Sequence, residues 1–549
     1  MVGPERNIMS KSYSSFVKKN TPVAATSPIR GREKDMAPNS GGGFSFVIDK
    51  WSQLDRFLIL GAADATYYAS RQKLVVKNTD NLMSCINENG QRVVNRIVEI
   101  SKAGRAPSND PALFALALVA TQSKNKADRL SAWKAIPEVA RIGTHLLNYV
   151  HFVDDLGGWG RGQKKSIANW FASKKPESLA LQMLKYKQRD GWSMRDVLRI
   201  SHPRQFFNLN EQQNAIMHWT TKGWDAVGEQ PHPDPALRLI WAAERAKVTT
   251  SENEVANLVN DYGLPWEAID TKWLNSAVVW EALIQHIKPE ALLRNLSRLT
   301  ANKFVGPMSA FQQKVIEVLT NQEAILANRL HPMKVLVAMR TYASGHGIKG
   351  GLSWTPDNAI MAAMDDCYQK SFGTVIPANK RTLLALDVSG SMTMGNCSGM
   401  PITPREASAA MAMITARTEP QHHLVGFESQ VVPLKINTKM SINDVISYID
   451  GLSFGATNIG ATFQWAQKNK VPCDTIVVLT DNEVNSGRAP IQALDDYKKA
   501  TGIDTKLVVV GMTATEFSVA DASRKDNLDV VGMDVNTPNL ISNFSRGDI

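Results

Sequence analysis

Three oxygen-bearing side chains follow one another at alternate positions in the sequence LALDVSGSM, which covers residues 384–392. Asp387, Ser389 and Ser391 come directly after a short apolar run, and Gly390 allows a sharp bend in the backbone. A turn explains any one of these residues, and the two serines could simply cap the turn that follows. One carboxylate with two hydroxyls at this spacing is also one half of a site for a hard metal ion.

The second half of such a site is predicted further along the chain. Strand-like and helical segments alternate in the C-terminal third, and parallel sheets of that kind bind ligands at the carboxyl ends of their strands. The sequence LTDNE places a carboxylate at one such end, and the loop FGATNIG contributes a hydroxyl. Oxygen ligands without thiol or imidazole favour Mg²⁺, or alternatively Mn²⁺, over zinc, with the carboxylates bound directly or through water. The predicted ligands are Asp387, Ser389, Ser391, Thr457 and Asp481.

The chain has 549 residues, and its pattern of apolar residues changes near residue 375. This change predicts the domain organisation. Residues 1–42 are polar and rich in Pro, Ser and Gly, which predicts a disordered tail. Residues 43–375 contain many short segments with a 3.6-residue apolar period, which is typical of an all-α helical-repeat domain. Residues 376–549 alternate strands with helices, which predicts a doubly wound α/β domain.

Several function classes are excluded by composition. The four cysteines form no C-x-x-C pair, so neither a disulfide framework nor a zinc cluster is expected. No apolar run reaches the roughly 18 residues that a membrane span needs, and the first residues lack the apolar region of a secretory signal. We therefore expect a cytoplasmic protein without a membrane partner.

The positive charge is concentrated in the first two-thirds of the chain. Residues 1–375 hold 47 Lys+Arg against 34 Asp+Glu, a net +13, whereas residues 376–549 hold 15 against 18, a net −3. Within the first part, residues 161–204 contain 11 basic and 3 acidic residues, interleaved with aromatic side chains. Solvated helix faces explain single lysines, but this density together with aromatic residues favours a nucleic-acid partner.

Two consecutive predicted helices carry cationic rows within residues 161–204. In ESLALQMLKYKQR, Lys185 and Arg189 are expected one helical turn apart and away from the apolar stripe. In the next predicted helix, Arg195, Arg199 and His202 share a face at spacings of four and three. Such rows suit a phosphate backbone, although His202 could instead satisfy carbonyl groups at the helix C-terminus.

Two further features are predicted near these helices: a cap at the start of the second helix and a second basic cluster. Ser193 with Asp196 three residues later predicts a capping box at the helix N-terminus. The second basic cluster precedes both helices, beside Trp159, and consists of Arg161, Lys164 and Lys165.

Longer stretches of the sequence resemble a known family. The C-terminal domain resembles a von Willebrand factor A domain with a metal-ion-dependent adhesion site. From about residue 45 to residue 549, the chain resembles the Ro ribonucleoproteins (Ro/SS-A autoantigens) of the TROVE family. The shared stretches, in the family's order, are DRFLILG…TYY, RIGTHLLNYVHF, WGRGQKKSIANW, KYKQRDGWSMRDVLRISH, ALLRNLSRLTANK, TYASGHGIKG and VVLTDNE.

This resemblance implies a fold and a function. The helical part would be a ring of HEAT-like helix pairs closed by the A domain. Relatives bind small noncoding Y RNAs on the outside and single-stranded 3′ ends of misfolded RNAs in the central hole, and act in small-RNA stabilisation and RNA quality control. The family residues needed for Y RNA binding match Lys185, Arg189 and His202. The resemblance also implies a monomer within a ribonucleoprotein and, in a bacterial cell, an exoribonuclease partner such as polynucleotide phosphorylase.

Two other function classes remain as alternatives. A metal-dependent phosphoryl-transfer enzyme could use Asp387, but the chain has no Walker A motif and DVSGSMTMG offers no general base, so we predict no enzymatic activity. A protein-adhesion module could use the metal site to recruit a carboxylate-bearing partner. That role is compatible with RNA binding elsewhere in the chain.

Overall fold

The computed structural model describes most of the chain after residue 35. The described residues are 36–38, 44–46, 50–61, 66–68, 76–104, 106, 108–224, 227–347, 351–397, 400–452, 458–480, 490–512, 520–521 and 524–548.

Most of the described residues between 50 and 371 are helical. The α-helices are α1 (Lys50–Leu60), α2 (Val76–Ala103), α3 (Asp110–Gln122), α4 (Lys126–Val139), α5 (Gly143–Asp155), α6 (Arg161–Ala172), α7 (Pro176–Lys185), α8 (Met194–Ser201), α9 (Pro203–Phe206), α10 (Glu211–Lys222), α11 (Pro235–Val248), α12 (Glu252–Tyr262), α13 (Ala277–Leu283), α14 (Pro289–Ala301), α15 (Ala310–Thr320), α16 (Gln322–Ala327), α17 (Pro332–Ala343) and α18 (Asn358–Ser371). Short 3₁₀ turns lie at Trp266–Ala268 and Trp273–Asn275.

The helix ends follow from local sequence. Ser251, Ser276 and Ser309 each precede a helix and accept a hydrogen bond from the backbone N–H three residues later. Gly263 ends α12 with φ of 65°, a left-handed conformation that glycine adopts without steric cost. Successive helices pack against each other, as α3 on α4 and α12 on α13 do.

The C-terminal part alternates strands and helices, as predicted. Its helices are α19 (Pro404–Thr418), α20 (Ile442–Asp450), α21 (Gly460–Lys468), α22 (Pro490–Thr501) and α23 (Thr537–Arg546). The strands of the whole chain are β1 (Met36–Pro38), β2 (Phe44–Phe46), β3 (Thr66–Tyr68), β4 (Gln188–Arg189), β5 (Trp192–Ser193), β6 (Thr382–Asp387), β7 (His422–Phe427), β8 (Val431–Pro433), β9 (Thr475–Thr480), β10 (Lys506–Gly511) and β11 (Asn527–Val531).

Seven strands form one sheet in the order β3-β11-β10-β9-β6-β7-β8. All neighbours are parallel except β7 and β8, which are antiparallel. Every residue of β6 and β9 is buried, as expected for central strands covered on both faces. The chain leaves β6 towards β7 and later returns on the other side at β9, so the strand order reverses between β6 and β9. The predicted fold class, a helical part followed by a doubly wound α/β domain, is confirmed.

The compact units of the structure do not coincide with a single boundary near residue 375. One unit contains residues 1–78, 329–341 and 368–549, and the other contains 79–328 and 342–367. Strand β3, which we assigned to the helical domain, is an edge strand of the seven-stranded sheet because it pairs with β11. The guanidinium of Arg56 in α1 also donates to the carbonyl of Lys525 at 2.9 Å.

The segments 329–341 and 368–371 have comparable contacts within their own unit. Arg340 of α17 lies 2.9 Å from the carboxylate of Glu406 in α19 and donates to Asn443 at 2.8 Å. Arg417 of α19 donates to the side-chain oxygen of Gln369 in α18 and stacks over the ring of the adjoining Phe372, 4.3 Å from its centroid. These contacts explain why helices from before residue 375 belong to the unit that contains the sheet.

The predicted tail, residues 1–42, falls mostly outside the described residues. Within it, β1 pairs in antiparallel fashion with β2, so part of the segment that we expected to lack structure forms a short ribbon. Among the described helices, none combines the length and the apolar character that crossing a membrane requires.

Candidate nucleic-acid interface and metal centre

The predicted metal half-site lies where the strand order of the sheet reverses. Asp387 is the last residue of β6, and its side chain is fully buried. Its Oδ2 accepts a hydrogen bond from the hydroxyl of Thr480, the last residue of β9, at 2.8 Å. The two strand ends on either side of the reversal point are therefore joined through this carboxylate, at the position where open α/β sheets bind ligands.

The two serines converge with Asp387 in the turn that follows β6. The backbone N–H of Ser389 donates to Oδ1 of Asp387 at 2.9 Å, and the hydroxyl oxygens of Ser389 and Ser391 lie 3.0 Å apart. A 3₁₀ turn over Gly390–Thr393 holds this arrangement. One carboxylate and two neighbouring hydroxyls fit a hard divalent cation and do not fit zinc.

Two of the predicted ligands, Thr457 and Asp481, lie outside the described residues. The next described residue after Thr457 is Asn458, whose backbone N–H donates to the carbonyl of Glu428, just beyond the end of β7. Within the described part of the chain, no group of three or more His, Cys, Asp or Glu side chains is placed to hold a metal ion.

A buried arginine that sequence reasoning missed supports the turn. Arg405 of α19 is 2% exposed, and one of its NH2 groups donates to the carbonyls of Val388 and Ser389 at 3.1 and 2.9 Å. Its other NH2 group pairs with the carboxylate of Asp450 at 2.9 Å. Burial lowers the pKa of the guanidinium, and the nearby carboxylates of Asp450 and Asp387 oppose that shift. The planar guanidinium of Arg405 therefore holds the backbone of the D-x-S-x-S turn from its buried side.

Replacing Arg405 with methionine is expected to destabilise the α/β domain by about 2–4 kcal/mol. The substitution leaves two buried carbonyls without their donor and removes a buried charge from its partner. Calorimetry should show a lower melting temperature for the transition of that domain. Asp450→Asn is the matched control and should cost less, because the Asp450 side chain is 48% exposed. An unchanged transition in Arg405→Met would contradict the supporting role.

Within residues 161–204, the end of helix α7 differs from the prediction. Helix α7 ends at Lys185, so Arg189 does not lie one helical turn above it, and our prediction of a longer helix was wrong. Asp190 and Gly191 have positive φ values of 48° and 84° and form a two-residue hairpin between β4 and β5. Asp-Gly is a strong signal for this turn and could have indicated the hairpin from the sequence.

The second predicted helix forms as expected. Ser193 and Asp196 make the capping box at the start of α8, with both reciprocal hydrogen bonds present. The face of α8 that packs inward consists of Met194, Val197, Leu198 and Ser201.

Arg195, Arg199 and His202 are exposed. Among the residues described, neither arginine has a carboxylate partner. His202 follows the last residue of α8 in a left-handed conformation, with φ of 44°, and its backbone N–H donates to the carbonyl of Leu198.

Lys185 and Arg189, the cations of the first predicted row, each have a carboxylate partner within the protein. The ammonium of Lys185 lies 3.2 Å from the carboxylate of Glu267, and the Nε of Arg189 lies 3.4 Å from that of Asp190. Glu267 is about eighty residues away from Lys185 in sequence, so no local sequence pattern predicts this ion pair. These pairs reduce the positive potential that the two residues offer to an anion.

The second basic cluster lies on α6, which packs against α8. Arg161 and Lys165 are exposed and Lys164 is half-buried. We call the combined set the cationic surface; it comprises Arg161, Lys164, Lys165, Lys185, Arg189, Arg195, Arg199 and His202.

Comparison with known proteins identifies the family. The family model described as the TROVE domain matches residues 37–344, and the one described as the Ro60 vWA domain matches residues 381–545. The chain belongs to the Ro60 family. The two matches lie on either side of the domain boundary predicted near residue 375.

Similar proteins are found in distant organisms. The chain is 41% identical to "RNA-binding protein RO60" of Deinococcus radiodurans over 515 residues, covering 93% of this chain and 95% of that protein. It is 31% identical to the protein of the same name in Caenorhabditis elegans, covering 93% and 90%. The crystal structure of the Deinococcus radiodurans RO (RSR) protein superposes with a TM-score of 0.84 at 40% identity, covering 91% of this chain and all of that one.

Proposed function

We propose that this protein is a non-catalytic RNA-binding protein. It binds small, structured noncoding RNAs of the Y type through the cationic surface, binds the single-stranded 3′ ends of misfolded RNAs, and acts in the cytoplasm in small-RNA stabilisation and quality control. The observation that carries the proposal is the exposed pair Arg195 and Arg199 on α8, beside the basic helix α6. The two relatives from Deinococcus radiodurans and Caenorhabditis elegans are named RNA-binding proteins, which supports it.

We expect the cationic surface to contact the phosphates of the RNA more than its bases. Duplex RNA hides its base edges in a deep, narrow groove, so proteins bind it mainly through its backbone and its shape. A row of cations one helical turn apart suits the phosphates of such a backbone, and Arg195 and Arg199 lie four residues apart on α8.

Recovery of the protein from its native cells with its bound RNA tests this function directly. Sequencing should show small structured RNAs enriched over the same preparation made with a variant lacking the exposed arginines of α8. RNA recovery that does not differ between the two proteins would contradict the proposed surface. No enrichment of any RNA over a mock purification would contradict the function itself.

We also propose that the α/β domain binds one Mg²⁺-class ion at the end of β6. Ser389 and Ser391 would hold it with Thr457, and Asp387 and Asp481 would act directly or through water. Such an ion supplies an electrophilic position for an anionic oxygen of a partner molecule. Asp387, which accepts hydrogen bonds from Ser389 and Thr480, serves as a ligand in this proposal, and no residue of the turn is assigned a catalytic role. Incubation of RNA with the protein and Mg²⁺ should therefore produce no cleavage.

A further inference from the structure

Two half-buried tryptophans that precede the basic helices α6 and α8 are in contact. The ring centroids of Trp159 and Trp192 lie 5.6 Å apart, with the ring planes inclined at 42°. The indole N–H of Trp159 donates to a carboxylate oxygen of Asp154 at 2.8 Å, which fixes the orientation of that ring. Trp159 and Trp192 keep part of their surface exposed, whereas other tryptophans of this protein, such as Trp170 and Trp280, are fully buried.

The tryptophan pair lies where two basic helices begin. Trp159 precedes Arg161, the first residue of α6, by two positions, and Trp192 precedes the first residue of α8 by two positions. Helices α6 and α8 pack against each other, so the pair joins the two basic clusters that the sequence presents as separate. In the β4–β5 ribbon, Arg189 is the cross-strand partner of Trp192.

The carboxylates near the pair are engaged by other protein groups. Asp154 accepts from the indole of Trp159, Asp190 lies beside the guanidinium of Arg189, and Asp196 caps α8 through Ser193. The guanidinium of Arg189 offsets the charge of Asp190, and the N-terminus of α8 favours the charge of Asp196.

We propose that Trp159 and Trp192 form a stacking platform for unpaired bases of the bound RNA. The inference rests on the proposed function and adds a preference to it: the ligand is a duplex with an adjoining single-stranded loop, bulge or end. The cations hold the backbone, and the exposed parts of the two indoles receive one or two bases. Every base has a flat face, so such a platform tolerates many sequences.

The test compares three RNAs that share one hairpin. The first ends bluntly, the second carries a short unpaired tail, and the third carries a tail of the same length built from abasic nucleotides. The two tails have the same phosphate charge and differ only in their bases. The wild-type protein should bind the base-bearing tail about 5-fold to 150-fold more tightly than the abasic one, the range expected for stacking of one base.

Variants then assign the effect to the pair. Trp159→Leu with Trp192→Leu should remove the preference for the base-bearing tail while keeping affinity for the blunt hairpin and its salt dependence. Phenylalanine at both positions should retain part of the preference. Trp273→Leu is the matched control, because Trp273 is also half-buried, donates its indole N–H to a backbone carbonyl at 2.7 Å and has the Lys272 ammonium 4.8 Å from its ring.

The outcomes separate this inference from the function on which it rests. Equal wild-type affinity for the two tails would overturn the platform and leave RNA binding intact, and this comparison does not depend on any variant folding. Loss of affinity for all three RNAs by a folded leucine variant would show that the pair only positions the cations. Failure of the wild-type protein to bind any of the three would overturn the proposed function.

Discussion

Alanine at both Ser389 and Ser391 is expected to abolish Mg²⁺ and Mn²⁺ binding while leaving the fold intact. The change removes two of the five predicted oxygen ligands of a hard-cation site, and the remaining ligands are too few to hold the ion. The turn should persist, because Ser389 binds Asp387 through its backbone N–H and Arg405 binds the carbonyls of Val388 and Ser389. Titration calorimetry with each ion measures the change in affinity.

Thr393→Ala is the matched control for this experiment. Its hydroxyl lies in the same 3₁₀ turn but donates to the carbonyl of Gly390 at 2.8 Å, so its removal should not change metal affinity. If the double serine variant bound the ion as well as the parent, the site would be misassigned. Loss of RNA binding without unfolding would mean that the ion itself contacts RNA.

The second large effect is expected at the exposed arginines of α8. Arg195→Ala with Arg199→Ala should weaken binding of a Y-like hairpin by about tenfold or more near physiological salt, since each neutralised phosphate releases bound counterions. The slope of log K against log salt should become shallower by about 0.9 for each duplex phosphate that the variant no longer neutralises. Helical content should be unchanged, because both side chains are exposed and the capping box does not involve them.

Two comparisons make this prediction specific. Lys185→Ala with Arg189→Ala should also weaken binding with a shallower slope, but by less, because Glu267 and Asp190 already pair with those cations. A control variant that removes two charges distant in sequence, Lys288→Ala with Arg294→Ala, should bind normally; the Arg294 side chain is 72% exposed. Unchanged affinity and slope in both test variants would move the RNA site to Arg161, Lys164 and Lys165.

Features that depend on local sequence could be predicted. The run before Asp387 is a buried strand, and the alternate oxygen-bearing residues after it lie in the following turn. The capping box at Ser193 and the inward face of α8 also follow from spacing, because a helix of 3.6 residues per turn places such residues on one side. The local error at Arg189, which we expected to lie on the same helix as Lys185, came from giving an apolar period more weight than an Asp-Gly turn.

Features that depend on contacts between distant residues could not be predicted in this way. The pairing of β3 with β11, the position of Arg405 behind the D-x-S-x-S turn and the contact of Trp159 with Trp192 each join segments that are not adjacent in sequence. Composition and periodicity describe what a segment can bury, but not which partner buries it. Local sequence therefore specified the helices, the strands and the types of ligand, whereas tertiary packing established which side chains share a surface and which cations are already paired.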